Sequence, residues 1–221
     1  MSINSAAFFE IRSELEQRQV QLVAVSKTKS VEDILELYGL GQRDFGENYV
    51  QELVDKAARL PTDIRWHFIG HLQSNKVKYI APFVHLVQGV DSHKLLREID
   101  KQAAKCNRKI DCLLQVHIAQ EETKFGMDEE ELDACLQELM RSPLRQVRVT
   151  GLMGMASFTA DLESVREEFA NLSAMFTRLK KSQPDFSVLS MGMSSDYRLA
   201  VESGSTMVRI GSLLFGEREK P

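Results

Sequence analysis

Eight short apolar runs punctuate the chain, at residues 21–26, 43–46, 65–70, 85–90, 110–117, 147–153, 187–191 and 206–211, with amphipathic stretches between them. This alternation limits the fold more than any other feature. Most of the runs are continuous rather than alternately apolar and polar, as expected of strands covered on both faces; the second and third carry the weakest pattern. The stretches between them place apolar residues on one side of a helix. The stripes are Val31, Ile34, Leu35 and Tyr38; Val50, Leu53, Val54 and Ala57; Leu95, Leu96, Ile99 and Ala103; Leu132, Cys135, Leu136 and Leu139; and Val165, Phe169, Leu172, Phe176 and Leu179. Each such helix packs one face and leaves its charged face in water.

Strand–helix alternation implies parallel pairing through right-handed crossovers. Eight units predict an α/β fold closed as a (β/α)₈ TIM barrel, with a doubly wound open sheet as the alternative. Phe8, Ile11 and Leu15 predict an N-terminal helix within residues 1–19, ahead of a barrel over 20–216. No Pro/Gly/Ser-rich linker divides the 221 residues, so one domain is expected over 1–221.

Composition removes several function classes. With 28 Lys and Arg against 32 Asp and Glu, the net charge is −4, and no basic excess is available for a phosphate backbone. Cys106, Cys112 and Cys135 form no C-x-x-C pair and read as free thiols rather than a disulfide or metal framework. No apolar run reaches the roughly 20 residues a membrane span needs. Glu10, Glu14 and Glu16 are out of place in a secretory signal, so the cytoplasm is expected.

In such a barrel, chemistry gathers at the C-terminal ends of the strands, and phosphates bind in the loops after strands seven and eight. The seventh run continues through Gly192, Met193, Ser194 and Ser195 into a helix from Tyr197, with Ser194 or Ser195 as the expected N-cap. The eighth carries Arg209 and ends in Gly211 and Ser212. Either two ordinary turns or a monophosphate site would use these residues. The first strand delivers Lys27 to the barrel mouth, with Lys29 on the same side if the chain stays extended. A partly desolvated lysine can attack a carbonyl to form a Schiff base. Lysine and phosphate loops together predict a phosphate-bearing aldehyde, either pyridoxal phosphate or a phosphosugar.

Other candidates have weaker patterns. His67 and His71 lie on and just after a strand, with no carboxylate joining them, so they do not read as a metal pair; His67 is expected in the core and His71 at the pocket. Asn48 either contacts a ligand or caps the next helix. Glu121, Glu122 and Lys124 read as a solvated charged loop.

Six segments resemble a known family: Ala24-Val25-Ser26-Lys27-Thr28-Lys29, Phe45-Gly46-Glu47-Asn48-Tyr49, the run from Trp66 to Lys76, Gly151-Leu152-Met153, Leu189-Ser190-Met191-Gly192-Met193-Ser194, and the run from Gly204 to Gly211. The chain is identified by these as a member of the YggS/PROSC family of pyridoxal phosphate homeostasis proteins, over about residues 22–216. The resemblance implies a barrel similar to the N-terminal domain of alanine racemase, with pyridoxal 5′-phosphate held on Lys27 as a Schiff base. It implies a phosphate cradle of Ser194, Gly211 and Ser212 with amides around Met193 and Ser195. It also puts Arg209 at the pyridine nitrogen and Asn48 near the ring, and gives Lys124 a second cofactor contact.

A guanidinium beside that nitrogen opposes its protonation and weakens the ring as an electron sink. Alanine racemase supplies a second base from an additional domain, which this chain is expected to lack. The resemblance therefore implies a monomeric carrier in cofactor homeostasis, with apo-enzymes as acceptors, rather than a catalyst. A racemase-type enzyme and a phosphosugar enzyme are the alternatives. The sequence departs from the family at Ser30, often Pro; at His117, commonly Asn; and over residues 154–157.

Overall fold

Every one of the eight apolar runs forms a parallel strand. A computed structural model describes residues 3–121, 124–183 and 185–216; Glu122 of the charged loop and residues 217–221 lie outside the described residues. The strands are β1 (Gln21–Val25), β2 (Asp44–Glu47), β3 (Arg65–Phe68), β4 (Leu86–Val90), β5 (Ile110–His117), β6 (Val147–Met155), β7 (Val188–Ser190) and β8 (Met207–Ile210). They pair in chain order and close into a barrel. Closure is made by β8 on β1, in parallel register from Gln21↔Met207 to Ala24↔Ile210. An open sheet has no such pairing, so that alternative falls.

The helices are α1 (Ser5–Gln17), α2 (Val31–Gly39), α3 (Val50–Ala57), α4 (Val77–Ile80), α5 (His93–Lys105), α6 (Glu129–Arg141), α7 (Leu162–Lys180), α8 (Tyr197–Glu202) and α9 (Ser212–Phe215). The sequence pattern gave no sign of α4 or of the 3-10 turn Ser74–Lys76 before it. Local chemistry explains where several helices begin. Ser30 and Asp33 form a capping box on α2, and Asp128 and Glu131 form one on α6. Ser30 thus starts its helix by hydrogen bonding where the family often uses proline.

The stripe on α7 is buried throughout, from Val165 to Leu179. Each of its large apolar side chains contributes about 1.5–3 kcal/mol of burial. On α2 the expected face is rotated. Val31, Ile34 and Leu37 are buried and Leu35 is exposed, because this nine-residue helix presents a row of three-residue steps. On α3, Leu53 is joined in the interior by Lys56.

Two apolar cores result. One lies between strands and helices and includes Leu22, Ala24, Phe45, Phe68 and Phe169. The other, inside the barrel, consists of Val23, Leu86, Leu113, Met153 and Met207, with Met155 and Val188 packed against it. Alternate residues of β1 therefore face opposite cores, as the two-residue strand period requires. No described helix is long and apolar enough to cross a membrane.

Candidate functional site

The strand ends surround a cavity of about 450 Å³, lined by Val25, Lys27, Lys29, Asn48, Ile69, Met155, Phe158, Met193, Ser194, Ser195, Arg209, Gly211, Ser212, Leu213 and Gly216. Its charged residues are Lys27, Lys29 and Arg209, with no carboxylate among the described lining residues. A partly enclosed site of this charge favours an anion.

Lys27 reaches the cavity by a turn, not by continuing the strand. β1 stops at Val25, the Lys29 amide donates to the Ser26 carbonyl at 3.0 Å, and Thr28 adopts φ +66°. The extended path expected through Lys29 is therefore wrong, although both lysines line the cavity. The Lys29 ammonium also donates to the carbonyls of Phe215 at 2.9 Å and Gly216 at 3.4 Å, tying this turn to the end of α9.

Opposite Lys27, the β7 and β8 loops are joined. Gly192 has φ +97°, and a Cβ there would lie 2.5 Å from the Ala200 methyl, so this corner accepts only glycine. The N-cap of α8 is Asp196 rather than either serine. The Asp196 carboxylate accepts from the Met193 amide at 2.6 Å, which folds the loop back on itself. Ser194 is left to accept from the Gly211 amide at 3.2 Å. In α9 the hydrogen bonds begin with the Leu214 amide on the Gly211 carbonyl, so the helix start presents its first amides at the rim.

Arg209 is buried and donates to the Ser190 hydroxyl at 2.6 Å and the Gly154 carbonyl at 3.0 Å. Burial pushes its guanidinium down to about 10, against the attraction of Asp196, and it remains charged at neutral pH. A polar chain runs on through the barrel. The Ser190 hydroxyl donates to Gln88, and Gln88 donates to Nδ1 of His67 at 3.0 Å. His67 Nε2 then donates to Asp44 at 3.0 Å, and Arg65 pairs with the same carboxylate. Burial opposes the Asp44 charge, but hydrogen bonds from Arg65 and His67 outweigh it and hold this carboxyl well below the usual range.

Several expectations need correction. His67 is buried as expected, yet it has a carboxylate partner, and His71 has another. His71 Nδ1 lies 3.0 Å from Asp91 and its ring stacks on Phe125 at 4.1 Å, so it is not among the cavity-lining residues. Among the described residues, no group of three or more His, Cys, Asp or Glu side chains is arranged to hold a metal. Asn48 lines the cavity, while Tyr49 is the N-cap of α3. The described part of the loop after β5 is not freely solvated. Glu121 accepts from the Phe158 amide at 2.8 Å, and this bond draws its carboxyl down to about 2. Lys124 pairs with Glu121 at 3.3 Å and donates to the Ala156 carbonyl. At the departures from the family, His117 Nε2 lies 3.0 Å from the Glu121 carbonyl, while Ser157 donates to buried Glu168. Sequence reasoning missed Met155, Ile69 and Phe158 as cavity walls, since apolar residues carry no signal of a site.

A model of the alanine racemase N-terminal domain family matches residues 8–219. Fold and site together therefore define a barrel of the alanine racemase N-terminal-domain class. Pyridoxal phosphate homeostasis proteins of Pasteurella multocida and Homo sapiens are each 40% identical, over 205 and 214 residues. These matches cover 90% and 91% of this chain, and 87% and 78% of the relatives. The PipY protein of Synechococcus elongatus, solved without and with pyridoxal phosphate, superposes with TM-scores of 0.89 and 0.87 at 38% identity, over 96% of this chain and 99% of that one. Alanine racemase of Clostridium difficile shares the fold at a TM-score of 0.78 and 15% identity, with 59% of its length covered. The chain belongs to the family of pyridoxal phosphate homeostasis proteins.

Proposed function

We propose that this chain binds pyridoxal 5′-phosphate reversibly and acts as a monomeric, cytoplasmic single-domain carrier in the homeostasis of that cofactor, passing it to apo-enzymes. The observation that carries the reading is one cavity where an amine, a buried guanidinium and two hydroxyl-bearing loops converge, with no carboxylate among the described lining residues. The donor set fits the group. Lys27 would hold the aldehyde, and Ser194 and Ser212 with the Ser195 amide and the first amides of α9 would take the phosphate, in loops that Met193 and Gly211 shape through their bonds to Asp196 and Ser194. Arg209 would face the ring nitrogen, with Asn48 beside the ring and Val25, Ile69 and Met155 as apolar walls. When bound, the cofactor supplies an aldehyde that exchanges between amines and a ring that can accept electrons.

The protein's own residues support holding over catalysis. Arg209, charged at neutral pH, disfavours a proton on a nearby ring nitrogen. No His, Asp, Glu or Tyr is among the described lining residues to serve as a second base. Lys124, held by Glu121 and the Ala156 carbonyl just outside this lining, suits a handover contact at the rim.

The test is a visible-absorption titration of the wild type and Lys27→Ala with pyridoxal phosphate. A saturable band in the wild type that is lost in the variant supports the reading, and identical spectra reject Lys27 as the anchor. Rapid exchange of an amino acid's α-proton in heavy water would instead identify a racemase-type enzyme. A colourless protein trapped by borohydride on a sugar phosphate would identify the phosphosugar alternative.

A further inference from the structure

Behind Lys27 lies a buried ionic cluster that the cavity does not contain. Lys56 on α3 is almost fully buried, with its ammonium 2.8 Å from Glu47 at the end of β2 and 2.6 Å from Glu52 on its own helix. The same ammonium donates to the Ser26 carbonyl at 2.7 Å. Glu47 also accepts from the Ser26 hydroxyl at 2.5 Å, and Glu52 accepts from the Thr28 amide at 2.5 Å. The chain is thus gripped on both sides of Lys27, at Ser26 and at Thr28, by three charged groups.

As a device for stability this cluster is poor. Burial of ions costs much of what their attraction returns. The second oxygen of Glu47 is buried with no hydrogen-bond partner among the described residues, and burial pushes the Glu47 carboxyl upward. What the cluster does achieve is conformational. Thr28 is β-branched and sits at φ +66°, where such residues rarely remain unless their surroundings fix them. The Thr28–Glu52 bond supplies that fixation, and the turn it enforces directs residue 27 to the cavity rather than along the strand.

We propose that Lys56, with Glu47 and Glu52, is the positioning group of Lys27: an ionic clamp that sets the turn from which the amine reaches its carbonyl. This rests on the reading of Lys27 as the cofactor anchor, and the test separates the two. Glu52→Ala removes the Thr28 acceptor at a half-buried helical position where alanine is well tolerated. Lys56→Met with Glu47→Gln removes one positive and one negative buried charge together. Both are compared with the wild type for binding of pyridoxal 5′-phosphate and of pyridoxine 5′-phosphate, which has the same phosphate and ring but an alcohol in place of the aldehyde.

The clamp predicts at least a tenfold loss of affinity for the aldehyde and an unchanged affinity for the alcohol. In ligand-free protein it predicts a several-fold rise in labelling of Lys27 by an amine-directed acylating reagent, with Lys94 labelled at a constant rate. Equal weakening of both ligands would reduce the cluster to general support of the fold and overturn the proposal. So would unchanged aldehyde affinity or unchanged Lys27 labelling. If the charge-paired double variant does not fold, Glu52→Ala decides by the same criteria. Failure of the wild type to take up pyridoxal phosphate would overturn the anchor reading alone, because the labelling of Lys27 still reports the clamp.

Discussion

Replacing Arg209 with methionine separates a residue kept for a ligand from one kept for the fold. The guanidinium is buried, and its pKa falls from the ordinary 12.5 to about 10. At about 1.4 kcal/mol per pH unit, that is a net penalty of roughly 3 kcal/mol on the charged form in the folded state, burial outweighing the attraction of Asp196. Because both values lie far above neutrality, this penalty is fully present at pH 7 and is relieved only as the pH rises through 10. Against it stand two charge-assisted hydrogen bonds, to Ser190 and the Gly154 carbonyl. Each contributes about 1.5 kcal/mol. Arg209→Met removes both contributions and fills a similar volume, so they nearly cancel. The ligand-free variant is expected to unfold within about 1.5 kcal/mol of wild type, or about 5 °C in Tm for a chain of this size. Its affinity for pyridoxal phosphate should fall about tenfold, the equivalent of one charge-assisted hydrogen bond. Calorimetry of the free proteins and a spectroscopic binding titration measure the two quantities. A loss of 4 kcal/mol or more without ligand, or an unchanged affinity, would refute the reasoning.

Three further outcomes follow from the same geometry. Ser194→Ala deletes the acceptor of the Gly211 amide, and should weaken phosphate-bearing ligands about tenfold while barely moving the Tm; inhibition of binding by inorganic phosphate would weaken in parallel. Asp44→Asn breaks a largely buried pair with Arg65 and His67 and should cost about 3 kcal/mol at pH 7. The native Asp44 carboxyl is depressed, so its contribution is complete above about pH 4 and disappears as pH falls below that; urea unfolding of both proteins at pH 7 and pH 3 should show the gap narrowing. Phe169→Ala empties a fully buried site between α7 and the sheet and should cost about 4 kcal/mol in the same assay.

The architecture was legible because burial on both faces writes itself into each strand as an apolar run and into each long helix as a stripe. Short helices were harder to read. On α2, Leu35 and Leu37 are equally apolar, and only the packing decides which faces inward. The chain's direction at Lys27 was not legible either, since Thr28 gives no sequence signal for a left-handed turn and the residues that hold it lie 24 and 28 positions further on, at Glu52 and Lys56. Nothing near His67 and His71 in the sequence marks their carboxylate partners, because Asp44 and Asp91 come from other strands and loops. On α8 the N-cap is Asp196, whose side chain makes no bond to the helix and instead takes the Met193 amide in the loop before it, a contact between loop residues that has no helix-cap signature in the sequence. That contact leaves Ser194 available to bridge the two phosphate-type loops.

The most direct measurement is a peptide map. Protein mixed with pyridoxal phosphate and reduced with borohydride should carry one stoichiometric cofactor-sized mass increment, on the peptide containing Lys27. An increment spread over surface lysines, or one centred on Lys29 or Lys124 with Lys27 unmodified, would contradict the account.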